Sequence, residues 1–167
     1  MRKSGVFWIT GLPGSGKTTF GKALVSKLSE VHPNVVHLDG DDLRDVFNNY
    51  GFSRDERYKI AQQYSRLTKL LVDQGLLVVF STVSLFHDIH EWNRINLKGY
   101  VEIYLDPGQM ILVQRNKKKL YDIDHKSHSE IVGKGINPEF PKSPDYTFYS
   151  TSVHDLQNDI KVIINHI

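Results

Sequence analysis

Apolar residues fall alternately into short unbroken runs and into sets spaced by three and four, the marks of buried strands and amphipathic helices. Val6, Phe7, Trp8, Ile9 and Thr10 form an apolar, β-branched and aromatic run that predicts a strand. Phe20, Ala23, Leu24, Leu28 and Val31 then follow helical spacing, and Val35, Val36, His37 and Leu38 predict a second strand. Ser53 with Glu56 makes a capping box. The helix behind it carries Ile60, Ala61, Tyr64, Leu67, Leu70 and Leu71 on one face and closes near Gly75. Leu76, Leu77, Val78, Val79 and Phe80 are apolar throughout, as a central parallel strand must be. His87, Asp88, His90 and Glu91 read as the polar face of a short helix that turns Ile89 and Trp92 inward, a metal cluster being the lesser reading. A fourth strand is expected over 100–105, a helix over 110–115 and a fifth strand over 146–149. Val153, Leu156, Ile160, Ile163 and Ile167 make a closing helix with Ser152 as N-cap.

Strands alternating with helices imply a parallel sheet of about five strands, covered on both faces and joined by right-handed crossovers. The expected architecture is a single three-layer α/β/α domain over residues 1–167. From about 116 to 144 the apolar periodicity fails, and Gly133, Gly135, Pro138, Pro141 and Pro144 punctuate a long polar stretch. In a compact domain such a stretch reads as a lid or binding loop.

The connection between the first strand and first helix carries the chemistry. Gly11-Leu12-Pro13-Gly14-Ser15-Gly16-Lys17-Thr18 fits G-x-x-x-x-G-K-[ST], extended by Thr19, and it has the strand–loop–helix setting a P-loop NTPase fold requires. The glycines let backbone N–H groups curl around phosphate oxygens, and the helix end offers further N–H groups and a positive dipole. Lys17 is placed to reach the β/γ phosphates of a nucleoside triphosphate and Thr18 to bind Mg²⁺. Asp39 and Asp41, just past the second strand, supply carboxylates for metal and proton, and Arg115 with the lid lysines can neutralise developing charge. A GTP switch is the rival class. Its N-K-x-D motif is missing, because Asn116-Lys117-Lys118-Lys119 lacks the Asp, so a small kinase is favoured.

Composition narrows the picture little. A net charge of +2 is too balanced to argue for nucleic acid, and the absence of cysteine excludes disulfides and thiolate metal sites. Neither a signal-peptide region nor a stretch long enough to cross a membrane is visible, so a cytoplasmic protein acting on a small molecule is expected.

Several strings resemble the adenylylsulfate (APS) kinase family. They are Phe7-Trp8-Ile9-Thr10-Gly11-Leu12, Leu38-Asp39-Gly40-Asp41-Asp42-Leu43-Arg44 and Gly51-Phe52-Ser53-Arg54-Asp55-Glu56-Arg57, and the likeness continues through Ser84, Arg115 and Lys119-Leu120-Tyr121. The resemblance implies transfer of phosphate from ATP, with Mg²⁺, to the ribose 3′-hydroxyl of an adenylylsulfate-like acceptor, and a homodimer. It implies Lys17, Asp39 and Asp41 in catalysis, Thr18 and Asp39 at the metal, and Arg115 near the ATP adenine. It also implies Arg44, Phe52, Arg57, Ser84, Lys119 and Leu120 at the acceptor. Departures concentrate on that last half of the site. Asp42 replaces an Asn, Ile60, Ala61 and Gln62 stand where the family writes N-I-R, and Ser84-Leu85-Phe86-His87 stands for S-P-Y-R. The family's nearby second arginine falls on His90, and the lid K-G-F-T-G is shortened to Val132-Gly133-Lys134-Gly135. Two acceptors therefore stay open. Adenylylsulfate is one, and cytidine diphosphoramidate, used by kinases of capsule phosphoramidate pathways, is the slightly preferred other. A non-catalytic nucleotide switch is the remaining alternative.

Overall fold

β1 (Gly5–Thr10) is buried along its whole length, which is why its six residues are almost all apolar or aromatic. It pairs in parallel with β3 (Leu77–Ser81) on one side and β4 (Tyr100–Leu105) on the other. β2 (Val35–Asp39) extends the sheet beyond β3, and β5 (Tyr146–Phe148) extends it beyond β4, giving the all-parallel order β2-β3-β1-β4-β5. The computed structural model describes residues 4–115, 132–133, 135–149 and 152–165.

The two-residue period of β1 splits the core into layers. Phe7 and Ile9 face α1 (Lys17–Leu28) and α6 (Val153–Asn165), where Phe20, Leu24, Leu28, Ile160 and Ile163 pack on them. Val6 and Trp8 face the opposite layer. There α2 (Gly40–Val46), α3 (Arg54–Asp73) and α4 (His87–Asn96) contribute Leu43, Ile60, Tyr64, Val72 and Ile89. Trp8 stacks on Phe80 of β3 with ring centroids 4.8 Å apart. α5 (Gln109–Gln114) follows β4 and buries Leu112. This is the expected three-layer P-loop domain, and no helix of the described residues is long and apolar enough to cross a membrane.

Periodicity overreached at the helix margins. α1 ends at Leu28, leaving Val31 on the following turn and 53% exposed. Leu70 and Val153 are also exposed, because α3 turns Ser65, Thr68 and Val72 inward and α6 is buried through Ile160 and Ile163. His90 is a correction to the polar-face reading of α4. It is buried with Ile89 and Asn93, whereas Trp92 is only partly covered.

The strand ends define one working edge. Asp39 is level with Ser81, Ile9 with Ser81, and Thr10 with Tyr104. Thr10 Oγ1 donates to the Val83 carbonyl at 2.8 Å, tying the loop after β3 to the start of the phosphate loop.

Candidate active site

Gly11, Leu12, Pro13, Gly14 and Ser15 make the turn from β1 into α1, and Gly16 is the helix N-cap. At φ 98° Gly16 is left-handed, a conformation that favours glycine. α1 has no side-chain cap and no acidic residue in its first turn, whereas α2 starts with Asp41 and Asp42 and α3 with Asp55 and Glu56. Its exposed positive end is therefore left for an external anion. Lys17 Nζ donates to the carbonyls of Gly11 (3.1 Å) and Leu12 (2.8 Å) and to Ser15 Oγ (3.4 Å), so its ammonium already lies over the loop. Thr18 and Thr19 are exposed on the first turn of α1. Arg115, the C-cap of α5, brings Nη1 to 3.5 Å from where a side chain on Gly16 would begin.

Thr18 Oγ1 donates to Asp39 Oδ2 at 2.6 Å, which joins the two expected metal-side groups across 21 residues. Asp39 is buried, and its second oxygen accepts the Asp41 N–H at 2.9 Å as the N-cap of α2. One carboxylate thus serves the helix and the site together. Asp41 is exposed on the first turn of α2. Tyr64 supports that turn from α3 by donating to the Gly40 carbonyl at 2.8 Å, and burial pushes its phenol up to about 12. A hydroxyl beside a carboxylate is an all-oxygen donor set, which fits a hard cation such as Mg²⁺.

On the other side, two guanidinium groups close on Phe52. Arg44 Nη1 donates to the Gly51 carbonyl at 2.8 Å and Arg57 Nε to the Phe52 carbonyl at 2.8 Å. Their Cζ atoms lie 4.8 and 5.2 Å from the Phe52 ring centroid. Phe52 as a residue is 42% exposed, so the two guanidinium groups do not cover it completely. Ser84 is buried in the loop after β3, its Oγ 2.9 Å from Thr82 Oγ1.

Residues 3–148 match the family model for adenylylsulfate kinase. The chain belongs to the adenylylsulfate kinase family. Cytidine diphosphoramidate kinase of Campylobacter jejuni is 36% identical over 163 residues, covering 97% of this chain and 95% of that one. An adenylylsulfate kinase of Oceanobacillus iheyensis is 30% identical over 169 residues, covering 99% and 84%. The structure of the Mycobacterium tuberculosis APS kinase in complex with AMPPNP and APS is similar at a TM-score of 0.81 and 26% identity, covering 99% and 98%. The protein is a phosphotransferase of the class that acts on a hydroxyl acceptor.

The kinase brings most of its expected site residues to the working edge. Gly11 to Thr19, Asp39 and Asp41 meet around the phosphate loop, Arg115 joins them from α5, and Arg44, Phe52 and Arg57 form a second group. Lys119 and Leu120, with most of the expected lid, lie outside the described residues. His90 Nε2 donates to the Ser84 carbonyl at 2.9 Å, and its Nδ1 is 3.6 Å from Glu102 Oε1. Glu102 is a carboxylate inside a strand, buried and held by Arg94 Nη2 and the Tyr100 hydroxyl, each at 3.0 Å. Sequence reasoning passed over it. The signal was there, an acidic residue between Val101 and Ile103 in an otherwise apolar run.

Proposed function

We propose that this kinase transfers the γ-phosphate of ATP to the ribose 3′-hydroxyl of a nucleotide-activated small anion, and that the acceptor is cytidine diphosphoramidate. The observation that carries the acceptor is the 36% identity to the Campylobacter jejuni enzyme over nearly the full length of both chains, against 30% for the Oceanobacillus iheyensis adenylylsulfate kinase. The site agrees with an acceptor other than adenylylsulfate. At position 87, where the family writes arginine, stands a histidine whose ring is committed to the Phe140 carbonyl at 2.9 Å. The product belongs to surface-polysaccharide modification, and a homodimer is part of the same proposal.

The phosphate loop and the N-terminus of α1 bind the triphosphate, and Lys17 swings from the Gly11 and Leu12 carbonyls onto the β/γ oxygens. Thr18 and Asp39 would hold Mg²⁺, which supplies charge neutralisation on the transferring phosphoryl group. Asp41, exposed beside them, accepts the proton of the attacking hydroxyl. Arg115 stabilises charge that develops over the loop. Phe52 offers its outer surface to a base, while Arg44 and Arg57 set the positive field for an anionic tail.

The test is ADP release with Mg·ATP, comparing cytidine diphosphoramidate with adenylylsulfate at matched concentrations. Phosphorus NMR checks the product for a new 3′-phosphate. The cytidine compound is expected to be preferred. Preference for adenylylsulfate makes the altered positions drift in an enzyme of sulfate activation, and turnover of neither overturns both acceptor assignments.

A further inference from the structure

Glu139 falls inside the polar stretch read as a lid or binding loop, where no role was assigned to it, and it joins three parts of the kinase. Its Oε2 accepts the His87 backbone N–H at 2.8 Å, and its Oε1 pairs with Arg54 Nη2 at 2.6 Å on the first turn of α3. Its own N–H donates to the Leu85 carbonyl at 3.1 Å. Next to it, the Phe140 carbonyl accepts from His87 Nε2 at 2.9 Å. α4 has Phe86 at its N-cap and no capping side chain of its own, so this carboxylate, 52 residues away in sequence, does the capping. Arg54 is also held 5.4 Å above the Phe86 ring. Burial works against the charge on Glu139, but the His87 amide and the Arg54 guanidinium outweigh it and hold the carboxyl below its usual range.

The same return of the chain also reaches the nucleotide side. Val132 and Ile136 bury against Leu85, with Leu12 and Val83 packed alongside. A Cβ on Gly133 would come within 2.9 Å of Leu12 Cδ2. The stretch therefore rests on the phosphate loop at one end and fastens to the loop between β3 and α4 at the other.

We propose that Glu139 is a positioning residue for the acceptor, anchoring a bridge through which nucleotide on the phosphate loop sets the place of residues 84–87. This rests on reading those residues as part of the acceptor half. Leu12 and Ile136 carry the contact from the nucleotide side. Glu139 carries it onward, because its two oxygens hold the start of α4 and the start of α3 in one geometry.

Glu139→Gln keeps the size of the side chain and removes the charge both partners use. Arg54→Gln breaks the pair from the other side, and Arg54→Lys preserves it. Both Gln variants are expected to raise the acceptor KM about three- to tenfold, the range for a partly exposed charged pair joined to a charge-assisted cap. ATP KM should stay within about twofold, Arg54→Lys should keep most of the wild-type acceptor KM, and the double Gln variant should go little further than the singles. An unchanged acceptor KM, or acceptor and ATP KM rising together, overturns the proposal. A second measurement needs no acceptor. Hydrogen exchange over residues 84–88 should slow in the wild type when Mg²⁺ and a non-hydrolysable ATP analogue are added, and should not slow in Glu139→Gln. Exchange that ignores nucleotide in the wild type, or slows equally in the variant, also overturns it. If the wild type turns over neither candidate acceptor, the acceptor assignment falls and this exchange experiment alone decides the role of Glu139.

Discussion

Gly21 occupies the middle of α1, where alanine is ordinarily worth about 1 kcal/mol more than glycine. That gain is cancelled here by what lies beside it. A Cβ would overlap Ser81 Oγ and His37 Nε2, which form a chain behind the phosphate loop. Ser81 Oγ donates to the Lys17 carbonyl at 3.1 Å, so its single proton is spent, and the 3.0 Å contact with His37 requires the ring Nε2–H as donor. Overpacking costs about 1–3 kcal/mol, and losing this chain adds to it. Gly21→Ala is therefore expected to be less stable than wild type by about 1–2 kcal/mol in urea denaturation, after the helical gain is subtracted. A variant as stable as the wild type would show that His37 and Ser81 move aside at no cost.

α3 shows how far an element can be read before it is seen. Ser53 Oγ accepts the Glu56 N–H at 3.4 Å, and Glu56 Oε2 accepts the Ser53 N–H at 3.1 Å, so the capping box read from residue types is formed. Ser53→Ala should cost about 1 kcal/mol. Because Arg57 stands on the same first turn, faster hydrogen exchange over 54–57 should accompany a raised acceptor KM; a stability loss with KM unmoved would separate the cap from the site. Elements of this kind were legible because their signals are local, namely apolar runs, helical spacing, caps and the glycine loop. The placing of Thr18 and Asp39 on one edge of the sheet was also legible, since the motif fixes the first and the end of β2 the second, although their direct contact was not. What stayed hidden is long-range. No local pattern ties Glu139 to His87 and Arg54, or turns His90 inward toward Glu102, because both depend on how α4 packs on β4 and on the returning chain.

Across the whole molecule, acid sensitivity follows from the histidine sealed under α4. Burial pulls the His90 pKa below 6.5, although Glu102 from β4, the Ser84 carbonyl and Glu139 pull upward, while His87 on its own helix adds to the lowering. Unfolded, the ring takes a proton as pH falls through about 6.5, and folded it does so only at lower pH. The unfolded state then binds more protons. Stability from this group is full above that value and declines as pH falls toward the lowered folded pKa. Glu139 and Glu56, whose carboxyls are held low, add a further loss at more acid pH. Thermal midpoints taken at constant ionic strength should hold steady from about pH 8 to 7 and drop as pH falls below about 6.5. A flat midpoint through the lower window would mean that His90 protonates freely in the fold.

The strand order also has a cost during synthesis. β1 leaves the ribosome before either strand it pairs with, since β3 begins at Leu77 and β4 at Tyr100. β2 is no help, because it too pairs only with β3. Until Leu77 arrives, Val6, Phe7, Trp8 and Ile9 form a nascent apolar segment with no strand of their own sheet to join. Parallel pairings across such separations are slow to close and prone to aggregate. A strand buried along its whole length in the finished enzyme is thus the one a growing chain must shelter longest.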